Sequence, residues 1–106
     1  YRSLVDQTFK RLEKAFDQID PDVVEYETSQ GSVILLFPDK TKVILSTQPS
    51  VRQIWLAAAS QGMGLHFDFN LEKSAWFDDK NKGIELFSCV KDVVREATGI
   101  TLEYGR

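Results

Sequence analysis

The sequence predicts an α+β domain, a two-layer α-β sandwich with two helices on one face of an antiparallel sheet of about six strands. Three observations carry this. An apolar stripe of helical period opens the chain, a second closes it, and an unbroken succession of short β-rich segments lies between them. Strands joined by short turns pair antiparallel, and two apolar helix stripes find burial together on one face of such a sheet. The other face is left to solvent or to a partner. A chain of 106 residues is expected to make a single domain over 1–106.

From Ser3 to Ile19, Leu4, Val5, Phe9, Leu12, Phe16 and Ile19 recur at spacings of three and four and fall on one side of a helix. Asp20-Pro21 ends it, because proline disfavours helical geometry in the residue before it. Strands are predicted over Val23 to Glu27, Ser32 to Phe37, Thr41 to Thr47, Gln53 to Ala58, Leu65 to Phe69 and Ser74 to Asp78. Pro38-Asp39-Lys40 reads as a hairpin turn between the second and third. A second helix runs from Gly83 to Ala97 with Phe87, Val90, Val94 and Ala97 inward, and Gly99 is placed to cap it. The tail from Ile100 to Tyr104 alternates apolar with polar and is expected to lie against the body.

Composition removes several chemistries. With 42% apolar and 27% charged residues the chain has an ordinary globular balance. Cys89 and His66 are the only thiol and imidazole, so a Cys/His zinc site, a four-thiolate cluster site and a two-His iron site are all excluded. No Gly-x-Ser-x-Gly elbow accompanies His66, and Gly62 and Gly64 are not followed by the Lys-Ser/Thr of a phosphate-binding loop. No apolar run approaches the roughly 20 residues that span a bilayer, and a secretory signal is missing from the first residues. The expectation is a cytoplasmic protein if bacterial, or one of the mitochondrial matrix if eukaryotic.

The net charge of −3 is unevenly spread. Up to Glu27 seven acids face four bases, the remainder holds nine of each, and from Asp17 to Glu27 there are five acids and no base. Asp6, Glu13, Asp17 and Asp20 fall within about 60° of arc on the helix side opposite the core residues. Asp22, Glu25 and Glu27 continue the line onto the first strand. Two carboxylates about 6 Å apart in water repel by roughly 0.7 kcal/mol, so such a row gains from a bound cation or a basic protein and repels nucleic acid. Exposed oxygen donors suit hard cations held loosely. The alternative is a solvated helix face on which Lys10 and Lys14 pair with Glu13 and Asp17.

Strand parity orients the sheet face. If Ile54 and Leu56 meet the helices, Gln53 and Trp55 face outward, and the same rule turns Leu65, Phe67 and Phe69 inward and His66 and Asp68 outward. Trp76 and Phe77 are both large, and parity leaves open which of them is inside. An outward Trp among Gln, His and Asp is either an interface anchor or a side chain packed on its own sheet.

Gln48-Pro49-Ser50-Val51-Arg52-Gln53-Ile54-Trp55-Leu56-Ala57, then Gly64-Leu65-His66-Phe67-Asp68-Phe69 and Trp76, resembles the central signature of the frataxin family in its bacterial, CyaY-like form. The resemblance runs essentially the full length of the chain. It implies the α-β sandwich read above and a role in iron–sulfur cluster assembly, as iron donor, as regulator of a cysteine desulfurase–scaffold complex, or both. By that resemblance Glu13, Asp17, Asp20, Asp22, Glu25 and Glu27 match ridge positions that hold Fe2+ or Fe3+ weakly and meet the basic desulfurase. Gln48, Gln53, Trp55 and His66 match sheet positions that contact partners. The implied protein is non-enzymatic and uses neither nucleic acid nor membrane; it is a monomer, or an oligomer with excess iron. Ferroxidase or iron-storage activity after oligomerisation, and a metal-independent interaction module, are the alternatives. The sequence departs from the family at Lys14 and Gln18, where bacterial relatives commonly carry acids, and at Ser46, where Asn is usual. Its connection from Met63 to Trp76 is also longer, with Asn70-Leu71-Glu72-Lys73 as the extra piece.

Overall fold

In the computed structural model, which describes residues 2–29, 31–38, 40–58, 62–80 and 82–104, the opening apolar stripe forms helix α1, Arg2–Phe16. Val5, Leu12, Ala15 and Phe16 are buried along it. The helix stops before the predicted Ile19 because residues 17–19 tighten: Gln18 N–H donates to Ala15 O and Ile19 N–H to Phe16 O, a short i→i+3 ending that still buries Ile19. Asp20 O then accepts from the N–H groups of both Val23 and Val24. This turn delays the first strand from the predicted Val23 to Glu25.

The strands are β1 Glu25–Ser29, β2 Ser32–Leu36, β3 Lys42–Gln48, β4 Gln53–Ala58, β5 Met63–Asn70 and β6 Ala75–Asp78, followed by helix α2 Leu86–Thr98. They form one antiparallel meander in the order β1-β2-β3-β4-β5-β6. The β2–β3 turn is closed by Phe37 N–H to Thr41 O (3.0 Å) and Lys40 N–H to Phe37 O (2.9 Å), with Lys40 at φ 71°. Asp39, the middle of the predicted turn, lies outside the described residues. The Asn70-Leu71-Glu72-Lys73 segment is the tip of the β5–β6 hairpin, where Asn70 Oδ1 accepts from Lys73 N–H and Leu71 projects outward, 82% exposed.

Both helices cover one sheet face, on which Val33, Leu35, Val43, Leu45, Ile54, Leu56 and Phe67 are buried. The Trp76/Phe77 ambiguity is settled by a polar contact in the core. Trp76 points inward, where its indole N–H donates to Thr8 Oγ1 at 2.8 Å, and Thr8 is itself buried on α1. Phe77 therefore faces out.

Helix α2 buries the predicted Val90 and Val94, but its inner face is centred differently from the expected one. Leu86, Cys89, Val90, Val93 and Val94 are buried, whereas Phe87 and Ala97 are half-buried on the flank. The helix starts at Leu86 because Glu85 caps it, accepting from the N–H groups of Phe87 and Ser88, and Gly99 closes it at φ 77°. The tail returns to the body as expected: Leu102 is buried and Tyr104 donates to Phe87 O at 2.8 Å. Among the described residues no helix is long and apolar enough to cross a membrane.

Candidate functional site

The acidic row begins on α1, where Glu13 is half-buried and Asp17 follows one helical turn later, exposed. Asp17 N–H still bonds to Glu13 O, so the two keep helical spacing past the formal helix end. Asp20 and Asp22 occupy the exposed turn. One Asp20 carboxylate oxygen is committed there, accepting from Asp22 N–H at 2.9 Å.

Register places the next two acids. Glu25 and Glu27 stand opposite Leu36 and Ile34, whereas Tyr26 stands opposite the buried Leu35. Glu25 and Glu27 therefore project from the outer sheet face and Tyr26 from the helix side, so the row bends around the open edge of the sheet rather than lying on one plane. Tyr26 donates its hydroxyl hydrogen bond to Asp17 Oδ1. That bond, partial burial and the charges of Asp17 and Glu13 push the Tyr26 phenol up to about 12. Asp17, Glu25, Tyr26 and Glu27 line one open groove of about 460 Å³ over Phe16 and Val24.

Among the residues whose side chains are described, no Lys, Arg or His nitrogen lies within 4.0 Å of any acid between Glu13 and Glu27. The expected pairing of Lys10 and Lys14 with Glu13 and Asp17 is therefore absent. Exposed lysines lose rotamer entropy when they pair, and the return in water is small. Also among the described residues, no three Asp, Glu, His or Cys side chains converge as a preformed metal cage. The donors are hard oxygens presented singly along an edge, which suits a hard cation keeping much of its water.

The second predicted group lies on the outer sheet face. Trp55 and His66 are cross-strand partners whose rings stack at 4.1 Å with 11° between planes. Trp55 donates its indole N–H to Gln53 Oε1 (2.8 Å), and Gln53 Nε2 donates to Asp68 Oδ1 and Asp79 Oδ2, both at 3.1 Å. His66 Nδ1 is 3.5 Å from Asp79 Oδ2, and Asp79 N–H donates to His66 O. Gln48 pairs across the ladder with Gln53 and donates to Ser46 Oγ at 3.4 Å; Ser46 in turn stands opposite Trp55. All four predicted partner residues thus belong to one connected surface. Trp55 both faces outward and packs on its own sheet. Beside it an apolar row crosses the strands, Ile34 opposite Ile44 and Ile44 opposite Ala57.

Two contributors escaped the sequence reading. Asp79 closes the Gln53–His66 network from beyond the last predicted strand residue, and only the paired geometry of β5 and β6 reveals it. Tyr26 was accessible to parity, since the residue between two outward acids must point toward the helix layer.

A frataxin-like domain model matches residues 1–100. The chain is 35% identical over 104 residues to the "Iron-sulfur cluster assembly protein CyaY" of Pseudomonas fluorescens strain Pf0-1, covering 98% of this chain and 91% of that protein. Against its counterpart in strain Pf-5 the identity is 38% over the same length and with the same coverage. Among solved structures, a frataxin from Psychromonas ingrahamii superposes with a TM-score of 0.85 at 25% identity, over 98% of this chain and 93% of the other. The trimeric frataxin of Saccharomyces cerevisiae, complexed with ferrous iron, gives a TM-score of 0.64 at 25% identity over 94% and 83% of the two chains.

Proposed function

The chain belongs to the frataxin family, and from that premise and the geometry above we propose that it works in iron–sulfur cluster assembly by holding iron loosely along its acidic edge and docking on the assembly machinery. The observation that carries this is the row from Glu13 to Glu27, whose carboxylates have no cationic partner among the described residues. Like charges held together without counter-ions raise the energy of the free protein, and a bound cation or basic surface lowers it again.

Iron is cargo in this reading. Glu13, Asp17, Asp20, Asp22, Glu25 and Glu27 supply single oxygens to a hydrated Fe2+ or Fe3+ ion, and the lack of a fixed cage keeps it releasable. The same charge steers the molecule to a basic groove on a cysteine desulfurase. Trp55, stacked on His66 and tied by Gln53, is a rigid aromatic anchor for the desulfurase–scaffold complex, with Gln48 beside it. Anaerobic titration with ferrous iron, followed by amide NMR, tests the metal half. Signals from Glu13 to Glu27 shift or broaden first, and a silent ridge would refute it.

A metal-independent interaction module is the second reading. It is favoured by Asp17 being hydrogen-bonded to Tyr26 and by the spread of the acids around an edge. Reversing charge at Asp17 and Asp22 separates the two. Loss of desulfurase capture with unchanged iron affinity supports the module, whereas parallel loss of both supports the shared ridge.

A further inference from the structure

We propose that Asp79 is the positioning residue of the outer sheet face: it supports the Trp55 indole at both its edge and its face, and so presets the docking anchor. The proposal rests on the reading of Trp55 as that anchor. It assigns a role to a residue that lies beyond the predicted strands and beyond the segments that resemble the family signature.

Register brings Asp79 to the anchor. Trp55 on β4 stands opposite His66 on β5, and Phe67 stands opposite Asp78 on β6, so the next step of the ladder sets His66 beside Asp79. The bond from Asp79 N–H to His66 O, 2.8 Å, closes that step. Alternation along the strand settles direction. Asp78 is buried, and Asp79 turns to the outer face, its side chain 27% exposed. The backbone is also held from the far side, because the Asp78 carboxylate gathers the N–H groups of Lys80, Lys82 and Ile84 in the loop that follows.

From that place one carboxylate oxygen serves two supports of the indole. Asp79 Oδ2 accepts from Gln53 Nε2 at 3.1 Å, and Gln53 Oε1 accepts from the indole N–H at 2.8 Å, which orients the edge of the ring. The same Oδ2 lies 3.5 Å from His66 Nδ1, and the His66 ring covers the indole face at 4.1 Å with 11° between planes. Asp68 Oδ1 also accepts from Gln53 Nε2, at 3.1 Å, whereas Asp79 meets both Gln53 and His66. An exposed Trp that rotates freely must be ordered when a partner closes over it, which costs about two- to tenfold in affinity. A ring already held at its edge and its face is spared most of that loss.

A double-mutant cycle tests the assignment, with the cysteine desulfurase–scaffold complex as the binding probe and the Trp55 indole N–H resonance of the free protein as the structural readout. The backbone bond to His66 survives substitution of the Asp79 side chain, so the fold is kept. Asp79→Ala should move the resonance toward that of a solvent-exposed indole and weaken binding about three- to tenfold. In the Trp55→Ala background it should have no further effect on affinity. Asp79→Asn, which keeps an acceptor for Gln53 without the charge, should fall between wild type and Asp79→Ala. Asp68→Ala, which leaves Asp79 on Gln53 and His66, should lose less than Asp79→Ala. An unmoved resonance in Asp79→Ala would overturn the proposal, as would an equal loss in Asp68→Ala. So would the full loss persisting without Trp55, which would make Asp79 a partner contact in its own right. If Trp55→Ala binds as tightly as the wild type, the docking reading fails, and the resonance alone decides whether Asp79 positions the ring.

Discussion

The carboxylates at the two edges of this sheet are used in opposite ways. At the β6 edge Asp78 is buried, and its two oxygens accept from the backbone N–H groups of Lys80 (3.3 Å), Lys82 (3.1 Å) and Ile84 (2.9 Å). Asp79 ties β5 to Gln53, and Glu85 caps α2. At the β1 edge Asp22, Glu25 and Glu27 face water and Glu13 is half-buried, none of them with a cation among the described residues. Carboxylates that fold the chain are saturated with donors, and those left unsaturated remain available to a ligand. Neutralising one set should unfold the protein, and neutralising the other should unload it.

The largest expected effect is at Asp78. Replacing it with Ala leaves three N–H groups of the loop into α2 without an acceptor, and thermal unfolding should show a loss of roughly 10 °C. Asp22→Asn or Glu27→Gln should leave the midpoint unchanged or slightly raised. Burial pushes the Asp78 carboxyl up, but the bonds from Ile84, Lys82 and Lys80 and the charge of Lys82 outweigh it and hold the group below its ordinary value. A group lowered in the folded state stabilises above its unfolded pKa of about 3.9 and loses that contribution as pH falls through the lower folded value. Acid unfolding below about pH 4 should therefore lessen in Asp78→Asn, whereas protonating the ridge only relieves repulsion. A ridge variant that lost as much stability as Asp78→Ala would break the comparison.

The outer face lies between these extremes, since its polar groups bond to one another yet stay accessible. Trp55→Ala should leave the core intact, because Ile54 and Leu56 on the opposite face carry the packing of β4. If Trp55 anchors a partner, the substitution should cost about 2 kcal/mol, roughly 30-fold in Kd for the desulfurase–scaffold complex, by surface plasmon resonance. Unchanged affinity would mean that the stack on His66 serves only the sheet.

Fold class and the inward faces of the strands were legible because each follows from a period, and periods survive small errors of boundary; the order of the strands within the sheet comes from the structure. Parity put Trp55 on the face opposite Ile54 and Leu56, and His66 opposite Leu65 and Phe67; with the aliphatic residues taken as inward, Trp55 and His66 face outward. Boundaries failed where a side chain or a backbone turn outbid propensity: Asp20 O held Val23 and Val24 in a turn, and Glu85 set the start of α2. On α2 the expected inward Val90 and Val94 are buried, but the rest of the buried face is Leu86, Cys89 and Val93, with Phe87 and Ala97 only partly buried at its flank. Of the ridge, composition revealed the charge but not its bend, which register with β2 imposes. Asp79 stayed hidden because its role comes from a residue 13 positions earlier, His66.

Tyr26 is where the two edges resemble each other, for it gives one ridge acid the kind of partner that Asp78 has. The phenol, raised from its ordinary value of 10.0 to about 12, stays a donor throughout the physiological range. Its pKa is higher in the folded chain, so its contribution to stability is complete below about pH 10 and fades as pH rises through 12. Tyr26→Phe keeps the ring against Phe16 and removes only the hydroxyl. Stability should fall by less than about 1 kcal/mol, since the bond is exposed and water replaces it. Asp17 regains a free oxygen, so ferrous affinity in the same anaerobic titration should rise two- to fivefold. A fall in affinity would show instead that Tyr26 holds Asp17 in the orientation a cation needs, and that even this edge is preorganised.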